Sequence, residues 1–253
     1  MSTIASILDN EFTRFYFSPF NFRKSLPDVW EGFKINIELM LKAEVCVLVF
    51  ALVIAIIRTA PGKAMRPFRW AAIAYVDFFR AVPLILVALA IVTGFGALGG
   101  SPEHPTTGLL HFLGNLNFIT LGVIALTLTY SAYVAEVYRA GIDSVHPSQR
   151  MAARSLGLSY GKTMRFVILP QAIRRVIPPL LNDFIGLQKD TAILGVAGLQ
   201  EAVAQAQSYG NTNANYTGYI VASVFFIFAT IPLTRYLDHL IASRERRERA
   251  QLA

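Results

Sequence analysis

The sequence contains few of the residues from which catalytic and metal sites are built. It has a single cysteine, Cys46, and its four histidines, at positions 104, 111, 146 and 239, are scattered along 253 residues. One cysteine excludes an intrachain disulfide, and histidines so far apart lack the close spacing of a zinc site. The Gly-x-Ser-x-Gly motif of a nucleophilic serine is also absent. We therefore expect a chain that binds no metal and is not itself an enzyme.

Charged residues are scarce as well, at 15% of the sequence, whereas 54% of the residues are hydrophobic and the mean hydropathy is +0.48. Such a composition is too apolar for an ordinary soluble domain and predicts an all-α protein embedded in membrane lipid. The formal net charge of +7 comes from basic patches between apolar runs, without a nucleic-acid-binding motif, so we expect no nucleic-acid partner. Residues 1–33 lack the uninterrupted apolar core of a cleavable signal peptide.

One stretch is close to a phosphate-binding loop but fails on spacing. Gly157-Leu-Ser-Tyr-Gly-Lys-Thr163 has three residues between its glycines, where that motif has four, and no predicted strand precedes it. A phosphate cradle needs the strand-loop-helix geometry to aim its amides at the phosphates. We therefore expect this chain to bind neither ATP nor another cofactor.

Apolar runs and the charges between them predict about five transmembrane helices. A spanning helix needs roughly 20 residues. Four of the predicted spans are Ile35–Ile57, Phe118–Tyr138, Val176–Leu199 and Tyr219–Leu237. The remaining one, second in chain order, begins between Trp70 and Ala81 and ends near Val92. The fourth is too polar for a hydropathy window; we include it because the loops on its two sides differ in basic charge. Basic loops stay on the cytoplasmic side. This predicts a multi-pass protein of the cell (inner or plasma) membrane, with its N-terminus outside and its C-terminus cytoplasmic.

The same pattern predicts the domain boundaries. Residues 1–33 mix charges with aromatic side chains, and either lie along the membrane interface on the extracytoplasmic side or form a loosely ordered tail. Residues 34–241 are the predicted transmembrane domain, and residues 242–253 are a basic cytoplasmic tail. No repeat of roughly 20 to 50 residues is visible, and an odd number of spans cannot form two equal halves. A pathway would therefore need two such chains.

The polar stretch between the third and fourth predicted spans, residues 147–170, has the local signals of two short helices. Pro147 and Ser148 are typical helix-start residues, and Gly157 is a natural C-terminal stop because glycine tolerates a positive φ. Ser159 is suited to cap a second helix, which Pro170 should end or kink. Two basic helices joined at a glycine predict a compact surface that another protein can bind.

Within this loop, Met151-Ala152-Ala153 is followed at fixed intervals by Gly157, Val167 and Leu169-Pro170. The pattern resembles the cytoplasmic loop of ABC-importer permeases, which reads Glu-Ala-Ala, three residues, Gly, nine residues, Ile, one residue and Leu-Pro. Every spacing is kept, whereas Met151 replaces the acidic residue and Val167 replaces isoleucine. Further segments resemble the polar-amino-acid uptake group of these permeases, the histidine, glutamine and glutamate type; they are Asp77–Pro83, Ser131–Gly141 and Asn182–Thr191.

The resemblance implies the membrane-spanning permease subunit of an ATP-driven ABC importer that translocates a polar amino acid. An extracytoplasmic amino-acid-binding protein would deliver the substrate, and a dimer of separate ABC ATPase subunits would hold ATP and Mg. A second permease copy or a paralogue would complete the pathway. The ATPase would couple through loop 147–170, and the implied coupling residues are Met151, Ala152, Ala153, Gly157, Leu169 and Pro170.

Charged and hydrogen-bonding residues near the predicted spans are candidates for the substrate pathway, because a zwitterionic amino acid needs both charge signs in a partly dry cavity. Each also has a local alternative. Arg80 can reach the interface, Glu136 can pair with Arg139, and Lys189 and Asp190 can be structural ion-pairing groups. The candidates are Arg80, Glu136, Asn182, Lys189, Asp190 and Thr191.

Two other functions fit the composition. An ion-gradient-driven secondary transporter or channel for a small polar solute would have similar spans but no ATPase partner. A purely structural membrane anchor is disfavoured, because charges in the fourth predicted span are costly to keep for scaffolding alone.

Overall fold

The structure is a computed structural model that describes residues 11–97, 112 and 114–252, and only the backbone of residues 96 and 244–252. Regular structure in this part of the chain is helical, without a strand, which confirms the predicted all-α class. The α-helices are α1 (Glu11–Tyr16), α2 (Pro19–Thr59), α3 (Arg66–Ala81), α4 (Leu84–Ala88), α5 (Gly94–Ala97), α6 (Phe118–Asp143), α7 (Pro147–Ser155), α8 (Tyr160–Thr163), α9 (Leu169–Asp190), α10 (Ala202–Asn213) and α11 (Thr217–Leu252). π-Helical turns occupy Leu89–Thr93 and Met164–Ile168, and a 3₁₀ segment occupies Thr191–Ala197.

Three helical stretches among the described residues are long and apolar enough to cross a membrane. They are Glu11–Thr59, Phe118–Asp143 and Thr217–Ser243, and a fourth candidate consists of Arg66–Ala81 together with Leu84–Thr93. The fourth candidate is broken at Val82, which is extended (φ −86°, ψ 127°). The break follows from Pro83, since proline disfavours the helical conformation in the residue before it.

The first span is longer than predicted. Helix α2 runs without interruption for 41 residues, or about 60 Å at 1.5 Å per residue. Pro19–Phe33 is therefore helical and continuous with the first span, so a loosely ordered tail is the wrong description of this stretch. Residues 1–10 lie outside the described part of the chain.

The fourth predicted span is not a single α-helix. Helix α9 ends at Asp190, and the 3₁₀ segment Thr191–Ala197 is followed by Gly198, whose φ of +103° is left-handed. Polar residues and Pro178-Pro179 keep α9 from qualifying as a span by length and apolarity, as the sequence indicated.

Two compact units make up the structure, and each draws on several stretches of the chain. The first lies within Met1–Ala43, Pro83–Leu126 and Leu187–Leu233. In its core, Val29 and Phe33 of α2 cluster with Ala202 and Ala206 of α10. A Cβ on Gly32 would lie 2.7 Å from the backbone nitrogen of Ala202. Glycine is therefore needed here, because a side chain would force α2 and α10 apart.

The second unit lies within Glu44–Val82, Thr127–Gly186 and Thr234–Ala253, and it contains the loop 147–170. Its buried cluster joins Val145, just after α6, to Ile168 and Ala172, with Ile142 and Met164 packed around them. The end of α6 is thereby held against the start of α9. This contact anchors the base of the loop.

Candidate coupling loop and substrate pathway

Helix α7 begins the loop, and its first turn is capped differently from the prediction. Pro147 is the first helical residue, but the capping side chain belongs to His146, whose Nδ1 accepts from the backbone N–H of Ser148 at 3.3 Å. Ser148 is therefore inside the helix and not its cap. At the other end Gly157 has a φ of +80°, which confirms the predicted glycine stop.

Helix α8 begins where predicted, but it does not end at Pro170. The Ser159 hydroxyl accepts from the Lys162 N–H at 3.4 Å and caps the helix. After Thr163 the helical chain continues through the π-helical turn, in which the Leu169 N–H donates to the Met164 carbonyl, and on into α9. Pro170 therefore lies within a continuous helical run. The Gln171 side-chain amide donates to the Val167 carbonyl at 2.8 Å.

Most of the predicted coupling residues lie on the loop surface. Met151 is 63% exposed, and Ala152, Gly157, Leu169 and Pro170 are also exposed, whereas Ala153 is buried at 4%. Ala153 therefore packs inward and supports the loop.

The same surface carries apolar side chains that the sequence analysis missed. Leu156 is 82% exposed and Phe166 is 64% exposed. Large apolar residues between basic residues in a polar loop were the available signal, because solvent-facing loop positions rarely need them. With Met151 they give the loop an exposed apolar component beside its positive charge.

Arg80 and Glu136, the first two pathway candidates, both lie in the second unit. The Arg80 guanidinium stands 5.8 Å from the centre of the Tyr133 ring, a cation–π distance, and the Tyr133 hydroxyl donates to the Arg80 carbonyl at 3.5 Å. Tyr133 was not among the candidates. Arg80 thus has a local partner on α6.

Glu136 is the centre of an ionic network near the C-terminal end of α6. One carboxylate oxygen accepts from Arg58 Nη1 at 2.6 Å, and the other accepts from Arg139 Nε at 3.0 Å. Arg139 also donates to Asp143 at 2.6 Å. The predicted Glu136–Arg139 pair is present, and Arg58, which was not predicted to take part, is a second partner.

Asn182 is exposed on α9, and its neighbour Asp183 is half-buried. One carboxylate oxygen of Asp183 is buried and makes no hydrogen bond among the described residues. In the predicted fourth span, a carboxylate of this kind would be a candidate for a functional role. Asp183 is not in the predicted pathway set.

Thr191 lies in a buried polar network of the first unit. Its hydroxyl donates to the Gln188 carbonyl at 2.7 Å and accepts from the Asn36 side-chain amide at 3.0 Å. Asn36 also donates to Glu201 Oε2 at 3.1 Å, and Asn36 Oδ1 accepts from the Ala202 N–H at 3.0 Å. The Thr191 hydroxyl therefore has structural partners.

Glu201 caps helix α10 from within this network. Its carboxylate accepts from the N–H groups of Val203 at 2.9 Å and Ala204 at 2.8 Å. Burial raises the pKa of the Glu201 carboxyl, and the hydrogen bonds from the two amides and from Asn36 oppose that rise. Glu201 and Asn36 are thus structural residues that tie α2 and the 3₁₀ segment to the start of α10.

Lys189 is a pathway candidate that lines a cavity. It is exposed at the rim of a 360 Å³ cavity of the first unit, with Tyr219, Ser223 and Phe226 in the wall. Asp190, next in the chain, is half-buried at the end of α9. An ammonium beside aromatic rings and a hydroxyl can bind a small carboxylate.

Known proteins that are similar to this chain are components of membrane transport systems. Residues 48–246 match the family described as binding-protein-dependent transport system inner membrane component. The chain belongs to this family. Membership confirms the predicted permease family and membrane localisation, and it favours the importer over the ion-gradient-driven alternative.

Individual relatives match most of the chain. The probable glutamine ABC transporter permease protein GlnM of Bacillus subtilis is 37% identical over 193 residues, which are 76% of this chain and 82% of the relative. The arginine transport system permease protein ArtQ of Bacillus subtilis is 30% identical over 210 residues, 83% of this chain and 89% of the relative. These relatives are named as permease proteins and not as enzymes.

A solved structure shares the fold. The crystal structure of an amino acid ABC transporter with histidines has a chain that is 32% identical, with a TM-score of 0.73 over 88% of this chain and 95% of that one. Most of this chain thus has a fold already seen in a chain of an amino acid ABC transporter.

Proposed function

We propose that this chain is the permease subunit of an ATP-driven importer that moves a polar amino acid delivered by an extracytoplasmic binding protein. Separate ATPase subunits, which hold ATP and Mg, would bind the loop 147–170. The observation that carries the proposal is the loop itself: two short capped helices, joined at a left-handed glycine, present exposed apolar and basic side chains. The family match supports it, because members act in binding-protein-dependent transport.

The proposal includes five spans, with α9 and the 3₁₀ segment as the fourth. Charged residues are tolerated inside a membrane when they face protein or a water-filled cavity, and a non-helical break is tolerated in the same circumstances. The basic loops then lie on the cytoplasmic side and the N-terminus lies outside. Five spans without an internal repeat support a pathway formed with a second permease copy or a paralogue.

For the substrate we propose a polar amino acid whose α-carboxylate is bound by Lys189. The names of the relatives refer to glutamine, arginine and histidines, which share the α-carboxylate and α-amino groups but differ in the side chain. A cation at the rim of a cavity matches the shared carboxylate. Arg80, Asn182 and Asp190 remain pathway candidates, whereas Glu136 and Thr191 have structural partners that compete with that role.

The test is amino-acid uptake by proteoliposomes that contain the purified complex, with ATP enclosed at the ATPase side and a loaded binding protein on the other. Uptake should require ATP and survive an ionophore. Uptake that collapses with the ion gradient and needs no ATPase partner would establish the secondary-transporter alternative instead.

The Lys189 assignment is tested in the same vesicles. Lys189→Gln should raise the amino-acid concentration for half-maximal uptake about tenfold, since a charge-assisted hydrogen bond is lost. Lys63→Gln, which removes a charge from the exposed segment between α2 and α3, is the matched control. Unchanged apparent affinity and uptake in Lys189→Gln would show that the lysine does not bind substrate.

A further inference from the structure

The Arg58–Glu136 ion pair joins two helices that are far apart in sequence. Arg58 precedes the last residue of α2, Glu136 lies in α6, and the two charges are 2.6 Å apart. Both side chains are largely buried, at 13% and 23% exposure. The Glu38–Lys42 pair of α2 differs on both counts: it lies within one helix and its side chains are 40% and 58% exposed. Water therefore screens the Arg58–Glu136 contact less than it screens the Glu38–Lys42 contact.

Glu136 also binds Arg139, but that contact stays within α6. The two residues are three positions apart, and Arg139 in turn pairs with Asp143 four positions further on. These contacts orient the Glu136 carboxylate and stabilise the end of one helix. The Arg58 contact differs from them because it reaches a second helix.

The inner end of α2 has a second link, which leads directly to the loop. The Tyr160 hydroxyl, in the first turn of α8, donates to the carbonyl of Thr59 at 3.4 Å. Thr59 is the residue after Arg58. Adjacent residues of α2 thus contact α6 on one side and a loop helix on the other.

Helices α6 and α9 are joined to the two ends of the loop by the backbone, so they are displaced when the loop is displaced. Loop 147–170 is continuous with both, the Arg175 guanidinium donates to the Ser144 carbonyl, and Val145 packs on Ile168 and Ala172. Helix α2 is not joined directly to the loop, because residues 60–146 lie between them in the chain. Among the described residues of this unit, the Arg58–Glu136 and Tyr160–Thr59 contacts connect α2 with α6 and with the loop.

We infer that the Arg58–Glu136 pair is a latch that makes the inner end of α2 move with the coupling loop, and that Arg58 is a positioning residue for ATP-driven transport. The inference rests on the proposed function, in which the ATPase moves the loop. With the latch closed, a displacement of α7 and α8 is passed to α6 and from Glu136 to α2. With the latch open, ATP hydrolysis continues to move the loop while α2 follows incompletely.

The experiment compares variants of the full complex, with its ATPase subunits and loaded binding protein, by amino acid taken up per ATP hydrolysed. Arg58→Gln should lower this ratio about fivefold or more. Arg139→Gln is the matched control, because it removes an equal charge from the same carboxylate without cutting the link between helices. A purely structural role would instead lower the yield of assembled complex, which is measured by size-exclusion chromatography.

A double-mutant cycle tests whether the lower ratio of uptake to ATP hydrolysis comes from loss of the Arg58–Glu136 contact. Glu136→Gln should lower the ratio as Arg58→Gln does, and the double variant should be no worse than either single one, since both remove the same contact. Tyr160→Phe, which keeps the ring, should give a smaller loss. Losses of Arg58→Gln and Glu136→Gln that add in full, or an Arg58→Gln complex with a normal ratio, would overturn the latch.

Measurements on the wild-type complex distinguish failure of this inference from failure of the proposed function. A wild-type complex that couples ATP hydrolysis to uptake, beside an equally well coupled Arg58→Gln complex, overturns the latch alone. A wild-type chain that captures no ATPase overturns the proposed function, and the latch with it.

Discussion

Gly157 shows how a single residue sets the form of the coupling loop. Its φ of +80° turns the chain between α7 and α8, and a Cβ at this position would meet no atom within 4 Å. The constraint on the residue is therefore its backbone conformation and not the space around it. The sequence was sufficient to predict this, because a glycine between two helix signals has a local physical meaning.

We predict that Gly157→Asp leaves assembly with the ATPase partly intact but abolishes ATP-driven uptake. A non-glycine residue in the left-handed region costs about 1–2 kcal/mol, and the new carboxylate adds a charge to a surface proposed to contact another protein. Uptake into proteoliposomes and co-purification of the ATPase are the two measurements.

The control is Gly157→Asn, which has the same shape as aspartate and a similar backbone cost at this position but no charge. If Asn retains uptake and Asp loses it, the charge at the ATPase contact is responsible, and equal loss in both indicates backbone strain. Normal uptake by Gly157→Asp would contradict a coupling role for this position.

Local sequence signals predict where a helix begins or ends better than they predict whether it continues through a residue such as Pro170. The Ser159 cap and the Gly157 stop are interactions within a few residues, so the sequence contains all of their determinants. The helix continues through Pro170 beside a π-helical turn and a Gln171–Val167 side-chain bond, and no local signal predicts either feature.

The polar network of Thr191 could not be predicted for a different reason. Its partners Asn36 and Thr191 are 155 positions apart, and Asn36 and Glu201 are 165 apart. A sequence pattern shows that Thr191 is polar in a predicted span, but only the fold supplies Asn36. The same holds for Arg58 and Glu136, which are 78 positions apart.

We expect Asn36→Ala to destabilise the first unit. The substitution leaves the Ala202 N–H unpaired and removes a donor from Glu201, and an unsatisfied buried polar group costs about 1–3 kcal/mol. The midpoint of thermal unfolding of the purified chain in detergent should fall accordingly. Asn211→Ala, at an exposed position of α10, should leave it unchanged. An Asn36→Ala midpoint equal to that of the wild type would show that the network contributes nothing to stability.

At the scale of the whole molecule, the apolar runs of the first, third and fifth predicted spans correspond to long helices, because hydropathy and helix length are properties of the sequence alone. The second is broken at Pro83 and the fourth is too polar to recognise by hydropathy. Whether these two segments cross the membrane depends on the residues that pack around them, and a local stretch of sequence does not show which residues those are.

The topology prediction can be tested with single cysteines. Cys46 is exposed on α2, so it is first replaced by serine. In intact cells an impermeant maleimide should label Asn211→Cys from outside. The segment between the fourth and fifth predicted spans, which contains α10, is predicted to be extracytoplasmic. Ser155→Cys on α7 should react only after the membrane is opened. Labelling of Ser155→Cys in intact cells would contradict the cytoplasmic position of the loop.

The most direct measurement is the ATPase rate of the complex captured by a tag on this chain and placed in nanodiscs, with and without binding proteins loaded with amino acids. We predict that an ATPase co-purifies and that its rate rises with one loaded binding protein, which also identifies the substrate. A chain that purifies alone and supports gradient-driven uptake in liposomes would contradict the importer function and establish the secondary transporter in its place.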